Sequence, residues 1–165
     1  MTPTILFSTG RCALGVVLVA QNERGVCAIL LGDEPRRLER ELAACFPDAK
    51  LLQAESGLLE TVVSFIDQPG RGLDLALDPQ GTAFQQRVWQ ALRQIPAGAT
   101  ETYGDVAARI GAPGAAKEVG EACAANRLAV AIPCHRVVRK DGSLAGYRWG
   151  VRRKRALLEV EKGQP

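Results

Sequence analysis

A cysteine followed directly by the only histidine of the chain, in Ile132-Pro133-Cys134-His135-Arg136-Val137-Val138, is the stretch best equipped for covalent chemistry. A thiol attacks carbon only as thiolate, and a neighbouring imidazole that takes the proton is the usual way to form one. Direct contact between neighbours is awkward, because successive side chains point to opposite faces of a strand and about 100° apart on a helix. A water bridging Cys134 to His135 fits that geometry better. Pro133 fixes its own φ and biases Ile132 toward an extended backbone, so Cys134 is expected on a rigid bend. A plainer reading is also open. Free cysteine within an apolar run is often a small hydrophobe, and a lone histidine is often a satisfied structural group.

The bend needs elements to hold it. Leu128-Ala129-Val130-Ala131-Ile132 leads in as an apolar run. Upstream, Phe84, Val88, Leu92 and Ile95 recur at helical spacing with Trp89 on their face, and Pro96-Ala97-Gly98 ends that helix. Thr102 with Asp105 three residues on predicts a capping box for a short helix to Ile110. Gly111-Ala112-Pro113-Gly114 breaks the chain before a second helix over 115–125. Helix, tight turn and small-residue helix outline a helix-turn-helix. A plain helical hairpin has the same outline. The small residues Ala115, Ala116, Gly120, Ala122 and Ala124 permit close approach, either to another molecule or to the protein's own core.

The first half reads as a scaffold. Strands are expected over 13–20 and 26–31 with a turn over 21–25, which makes a hairpin. Asp33 is placed to cap a helix with Pro35 just inside it, where Leu38, Leu42 and Phe46 share a face. Ser56 is placed to cap a second helix turning Leu59, Val62, Val63 and Ile66 inward. Residues 73–77 form a short extended run, and Asp78-Pro79-Gln80-Gly81 is turn-rich. No ionisable cluster is visible here. The expected fold class is α/β, with a scaffold domain over 1–80 and a mostly helical domain over 81–165 that carries the chemistry.

Composition narrows the partners. Apolar residues make up 47% and charged residues 24% of 165 residues, as in soluble globular proteins, and no apolar run reaches membrane-spanning length. The sequence starts without a basic segment followed by an apolar one, so a cytoplasmic, membrane-free protein is expected. Five scattered cysteines with no C-x-x-C pair predict reduced thiols and no metal site. Charge is graded along the chain. Residues 1–80 carry 7 basic and 11 acidic groups, residues 81–126 carry 4 of each, and residues 127–165 carry 10 basic and 3 acidic. A polyanion would meet the last third, although a solvated basic tail has the same signature.

Pro133-Cys134-His135-Arg136-Val137-Val138, followed by Gly146-Tyr147-Arg148-Trp149-Gly150, resembles the O6-alkylguanine-DNA alkyltransferases, or methylated-DNA–protein-cysteine methyltransferases. Within that family it is similar to the alkyltransferase half of bacterial adaptive-response proteins. The likeness is sharpest from Gly81 to Glu161, and residues 23–32 share it less diagnostically. The resemblance implies a ribonuclease-H-like α/β scaffold ahead of a helical domain with a helix-turn-helix. It implies direct-reversal repair of double-stranded DNA by a monomer without cofactor. An alkyl group passes irreversibly from O6-alkylguanine, or from O4-alkylthymine, to the protein's own cysteine after the nucleotide is flipped out.

Residue by residue, the resemblance makes Cys134 the acceptor, His135 the base acting through water, and Glu161 the carboxylate that orients it. Asn126 supports the turn, and Tyr103 contacts phosphate and base and donates a proton to the leaving guanine. Leu144, Ala145, Tyr147 and Arg148 would wall the guanine pocket, with the Arg148 backbone N–H toward O6. Ala115, Ala116, Lys117 and Gly120 fall on the DNA-facing helix, and Arg136 is grouped with them as a brace. Lys117 stands where the family has an arginine finger, and Glu118 where it has a small residue. Lysine loses the stackable guanidinium, and a carboxylate is repelled by phosphates. Two further readings of the same fold are a lesion-binding protein that transfers nothing and a methylation-sensing DNA-binding regulator. The regulator is expected to need an N-terminal metal-binding domain, which this sequence does not contain.

Overall fold

The chain is described from a computed structural model over residues 2–144 and 146–163. It forms two compact units, one up to Pro79 and one from Gln80. In the first, three strands run as an antiparallel meander: β1 (Thr4–Cys12), β2 (Gly15–Asn22) and β3 (Gly25–Gly32). A fourth, β4 (Lys50–Gln53), pairs parallel to β1, giving the order β3-β2-β1-β4. Every residue from Val16 to Ala20 in β2 is buried, as a central strand demands. Helix α1 (Pro35–Cys45) packs on β2 and β3, and α2 (Gly57–Asp67) packs on β1 and β2.

The expected hairpin is present, and its turn is only Glu23-Arg24. Asn22 Oδ1 accepts from the N–H groups of Arg24 at 2.8 Å and Gly25 at 3.1 Å. Gly25 has φ +148°, and a Cβ there would meet the Ala76 carbonyl at 2.4 Å, so this position accepts nothing larger. One sequence-based expectation needs correction. The cap of α1 falls to Glu34, not Asp33, and makes no side-chain cap bond. Ser56 holds the cap position of α2, also without a side-chain bond. Strand β1 was not visible in the sequence, because Ser8-Thr9-Gly10-Arg11 breaks its apolar pattern; its pairing with β2 and β4 makes it a strand.

The second unit is mostly helical: α3 (Ala83–Arg93), α4 (Tyr103–Arg109), α5 (Ala116–Ala124) and α6 (Val151–Lys162). Strands β5 (Glu101–Thr102) and β6 (Val137–Val138) pair in parallel, with Thr102 opposite Val138. The core face of α3 is the expected one, with Val88, Trp89 and Leu92 buried and Ile95 buried just beyond its end. Trp89 Nε1 donates to the Ala122 carbonyl at 2.9 Å, which ties α3 to α5. Arg109 bonds Glu101, Gln94 and the Ala91 carbonyl, which ties α4 to the end of α3. On α5, Val119, Ala122 and Cys123 face inward while Lys117, Glu118 and Glu121 are exposed. Among the described residues no helix is long and apolar enough to cross a membrane.

The box predicted at α4 is complete. Thr102 Oγ1 accepts from the Asp105 N–H at 3.0 Å, and Asp105 Oδ2 accepts from the Thr102 N–H at 3.0 Å. This cap aims the first residue of the helix, Tyr103, and it also anchors β5 to β6. Replacing Thr102 by Ala should cost about 1 kcal/mol, the usual value of a lost N-cap. Urea unfolding of parent and variant measures it, and a variant as stable as the parent would show that the β5–β6 pair alone fixes this end.

Candidate active site

Cys134 opens a single 3-10 turn, Cys134–Arg136, and only 4% of it is exposed. The loop before it is tightly self-bonded. Ile132 N–H reaches the Leu128 carbonyl at 3.0 Å, and Cys134 N–H reaches the Ile132 carbonyl at 2.8 Å. Within it Val130 has φ +67°, a left-handed conformation that a β-branched residue adopts only under strain. Asn126, fully buried, braces the bend from inside. Its Oδ1 accepts from the Leu128 N–H at 2.9 Å, and its Nδ2 donates to the Ile132 carbonyl at 3.0 Å and to Cys134 Sγ at 3.4 Å. The rigid bend expected from Pro133 is present, held by an asparagine eight residues upstream.

In the tight turn His135 and Arg136 both point away from solvent toward α6. His135 Nε2 lies 2.8 Å from Glu161 Oε2. Arg136 donates Nε to Glu161 Oε1 at 3.0 Å, one terminal N–H to Oε2 at 2.7 Å, and the other to the Ile95 carbonyl at 2.6 Å. All three residues are buried. Arg136, grouped from sequence with the DNA-facing residues, is therefore corrected: its guanidinium is committed inside the protein. Burial raises the Glu161 carboxyl, but the hydrogen bonds and charges of His135 and Arg136 outweigh it and hold the pKa at about 2. Burial pushes the His135 pKa down, more than Glu161 pulls it up. The imidazole is thus neutral and donates Nε2–H to the carboxylate. Its Nδ1, buried and without a protein partner, is left as the bare acceptor.

Lys154 was not singled out from sequence. It is fully buried, and its Nζ donates to the Val137 carbonyl at 2.6 Å. A buried ammonium without a carboxylate is rare. Its charge acts on Cys134 and on Cys123, pulling both thiols down. Burial nevertheless pushes the Cys134 thiol up, against the Asn126 amide, Lys154 and Arg148, so the resting thiol is protonated. Cys123 is pushed up as well, by burial and by the neighbouring Cys134. A sequence signal for Lys154 existed: it shares the inward stripe of α6 with Leu157 and Glu161, where a lysine has no ordinary reason to be.

Cys134 opens onto a cavity of about 590 Å³, within the range of small-molecule sites. Tyr103, Lys117, Gly120, Tyr147 and Arg148 line it with Cys134, and Ala116 lies on its wall. Cys123 and Arg139 line it too, and neither was foreseen. Burial raises the Tyr103 hydroxyl pKa, keeping the phenol protonated. Tyr147 stacks edge-on against His135 at 6.5 Å and against Trp149 at 5.4 Å. The Arg148 side chain does not enter the cavity freely: it donates to the Asn126 carbonyl at 2.7 Å and lies 5.4 Å over Trp149. Ala115 caps α5 without lining the cavity. Leu144 lines a separate recess of about 330 Å³ with Gly98, Val138 and Leu158, so the structure does not bring it to Cys134. Ala145 lies outside the described residues.

A buried thiol, a neutral imidazole oriented by a carboxylate, and a cavity at the thiol are thus gathered on a mixed α/β fold. Comparison with known proteins identifies the family. Residues 83–163 match the model of the 6-O-methylguanine DNA methyltransferase DNA binding domain. The chain is 51% identical over 160 residues to the bifunctional transcriptional activator/DNA repair enzyme Ada of Escherichia coli, covering 95% of this chain and 45% of that protein. It is 49% identical over 111 residues to the methylated-DNA–protein-cysteine methyltransferase of Mycobacterium tuberculosis, covering 67% of each. A crystal structure of the M. tuberculosis protein OGT in complex with DNA superposes with a TM-score of 0.79 at 36% identity, over 95% of this chain and 92% of that one. The chain belongs to the O6-methylguanine-DNA methyltransferase family. It spans about half the length of the Ada relative.

The buried ion pair should show in acid. Glu161 is held at about 2 against an ordinary 4.5, so its contribution is complete above pH 4.5 and lost as pH falls toward 2. The shift corresponds to about 3 kcal/mol. The stability gap between parent and Glu161→Gln, from urea unfolding at pH 7, 4.5 and 3, should narrow steadily below 4.5. A gap independent of pH would mean that Glu161 is not ionised against His135 and Arg136.

Proposed function

We propose that this chain repairs alkylated double-stranded DNA, moving the alkyl group from O6 of guanine, or O4 of thymine, to Sγ of Cys134. The observation that carries this reading is the buried Cys134 thiol at a cavity roomy enough for a nucleobase, backed by the His135–Glu161–Arg136 cluster. The target atom is unreachable inside a duplex, so the nucleotide must leave the stack to enter the cavity. We read α4 and α5 as a helix-turn-helix, with Ala116, Lys117 and Gly120 of α5 toward the DNA. The meander with its parallel fourth strand supports a ribonuclease-H-like scaffold for residues 1–80, leaving residues 81–165 as the alkyltransferase domain.

The proton and the electron pair then have defined routes. Nδ1 of His135 takes the Cys134 proton through a bridging water, while Nε2–H stays on Glu161. The sulfur attacks the alkyl carbon, forming a C–S bond. The C–O bond breaks with its electron pair left on O6, and the purine takes up a proton, with the Tyr103 hydroxyl as donor in the cavity. A thioether has no acidic proton and is a poor leaving group, so each molecule acts once. Lys154 offsets the negative charge as it develops on sulfur, in a medium where burial makes that charge costly. Cys123 shares the cavity but lacks a base, and its raised pKa keeps it protonated.

Intact-mass measurement after mixing with a duplex containing O6-methylguanine should show one added methyl group per protein, mapped to Cys134 and absent in Cys134→Ala. Tight binding without a mass change would favour a lesion-binding protein, and methyl on Cys123 would overturn the assignment. Lys154 gives a separate readout. Removing an opposite charge beside the thiol raises its pKa, typically by about 1–3 units. The alkaline rise of the transfer rate should accordingly move to higher pH in Lys154→Met, and an unshifted profile would make Lys154 a packing residue only.

A further inference from the structure

The cavity mouth has a cation that the functional reading leaves without a task. Arg139 follows directly on β6, where Val137 and Val138 are buried, and its own side chain is exposed. The parallel register pairs Thr102 with Val138, so the next residues along each chain, Tyr103 and Arg139, leave the pair side by side. Both line the cavity that holds Cys134. The Arg139 charge is felt at the Tyr103 hydroxyl across that lip. Its backbone is pinned in a closed turn. The Arg139 N–H donates to the Ser143 carbonyl at 3.2 Å, Gly142 N–H returns to the Arg139 carbonyl at 2.8 Å, and Asp141 Oδ1 accepts from the Ser143 N–H at 2.9 Å. Among the described residues the Arg139 guanidinium makes no ion pair, although Asp141 feels its charge. A rigid turn therefore presents five N–H donors at the rim of the pocket.

The opposite lip is poorly charged for a polyanion. Helix α5 exposes Lys117 there, but Glu118 and Glu121 are exposed on the same helix, leaving it with more acid than base. We propose that Arg139 clamps a backbone phosphate next to the flipped nucleotide, supplying from the Tyr103 lip the anchoring charge that α5 lacks. A planar fork suits a phosphodiester, and a nucleotide seated in the cavity must carry its own phosphates past this rim. This inference rests on the proposed repair of duplex DNA and adds the residue that fixes the flipped strand. It also offers a physical reason why Glu118 is tolerated.

The test is the salt dependence of duplex binding. Each neutralised phosphate contributes a slope of about 0.9 in log K against log salt. Arg139→Ala should reduce the slope by about that amount and weaken binding roughly tenfold, as for loss of one phosphate contact. Arg139→Lys keeps the charge and should keep the slope while losing part of the affinity. Arg152→Ala, which removes an exposed cation from α6 outside the cavity lining, is the control. An unchanged slope in Arg139→Ala, or an equal loss in Arg152→Ala, overturns the clamp. Intact-mass measurement of the parent with a duplex containing O6-methylguanine separates the two readings. No methyl on Cys134 there sinks the proposed function, whereas transfer with an unchanged Arg139→Ala slope sinks the clamp alone.

Discussion

The carboxylate of Glu161 is the group on which the site depends. It takes Nε2–H of His135 on one oxygen and both arms of the Arg136 fork across the two. A lone buried carboxylate would protonate, and a lone buried guanidinium would be costly. Together they form a neutral set that also fixes the histidine tautomer. Arg136 is what makes this possible: it supplies the counter-charge, so the imidazole need not be protonated and can accept a proton. Arg136 in turn reaches the Ile95 carbonyl just past α3, so the cluster joins the end of α3, the Cys134 turn and α6.

Around this set the charges are sorted by depth. Lys154 and the neutral imidazole lie inside, where a sulfur anion would form. Arg139 and Lys117 lie at the rim, where phosphates would pass. Between them the lining is mostly apolar and aromatic, a surface that suits the flat base of the proposed substrate. The dry interior raises the cost of the thiolate and also strengthens whatever stabilises it. The resting thiol is protonated for the first reason, and for the second the Lys154 charge is felt strongly at the sulfur.

Much of this was legible in the chain. The Cys134-His135 pair, the capping box at Thr102, the inward face of α3 and the helical hairpin follow from local residue chemistry. Glu161 and Asn126 came only from the family resemblance, because nothing local links them to a turn eight or more residues away. Strands β1 and β4 were hidden, since one has a polar interruption and the other is only four residues long. Both become strands through pairing. The placement of Arg136 and Leu144 was misjudged for a related reason: a three-residue 3-10 turn and a glycine-rich loop give no periodicity from which to infer a direction. Lys154 carried a signal of the opposite kind, a charge on an apolar stripe.

Glu161 sits in the last turn of α6, one residue before the helix ends at Lys162. A negative charge there opposes the helix dipole, and final turns are where helices open first. The carboxylate is therefore held by its two partners rather than by the helix that carries it. Unwinding of a single terminal turn would release anion, imidazole and guanidinium together, with the rest of the unit intact. The geometry of the cluster is thus tied to local opening of this helix end. Amide exchange in residues 159–162 would report on the competence of the site long before the core yields.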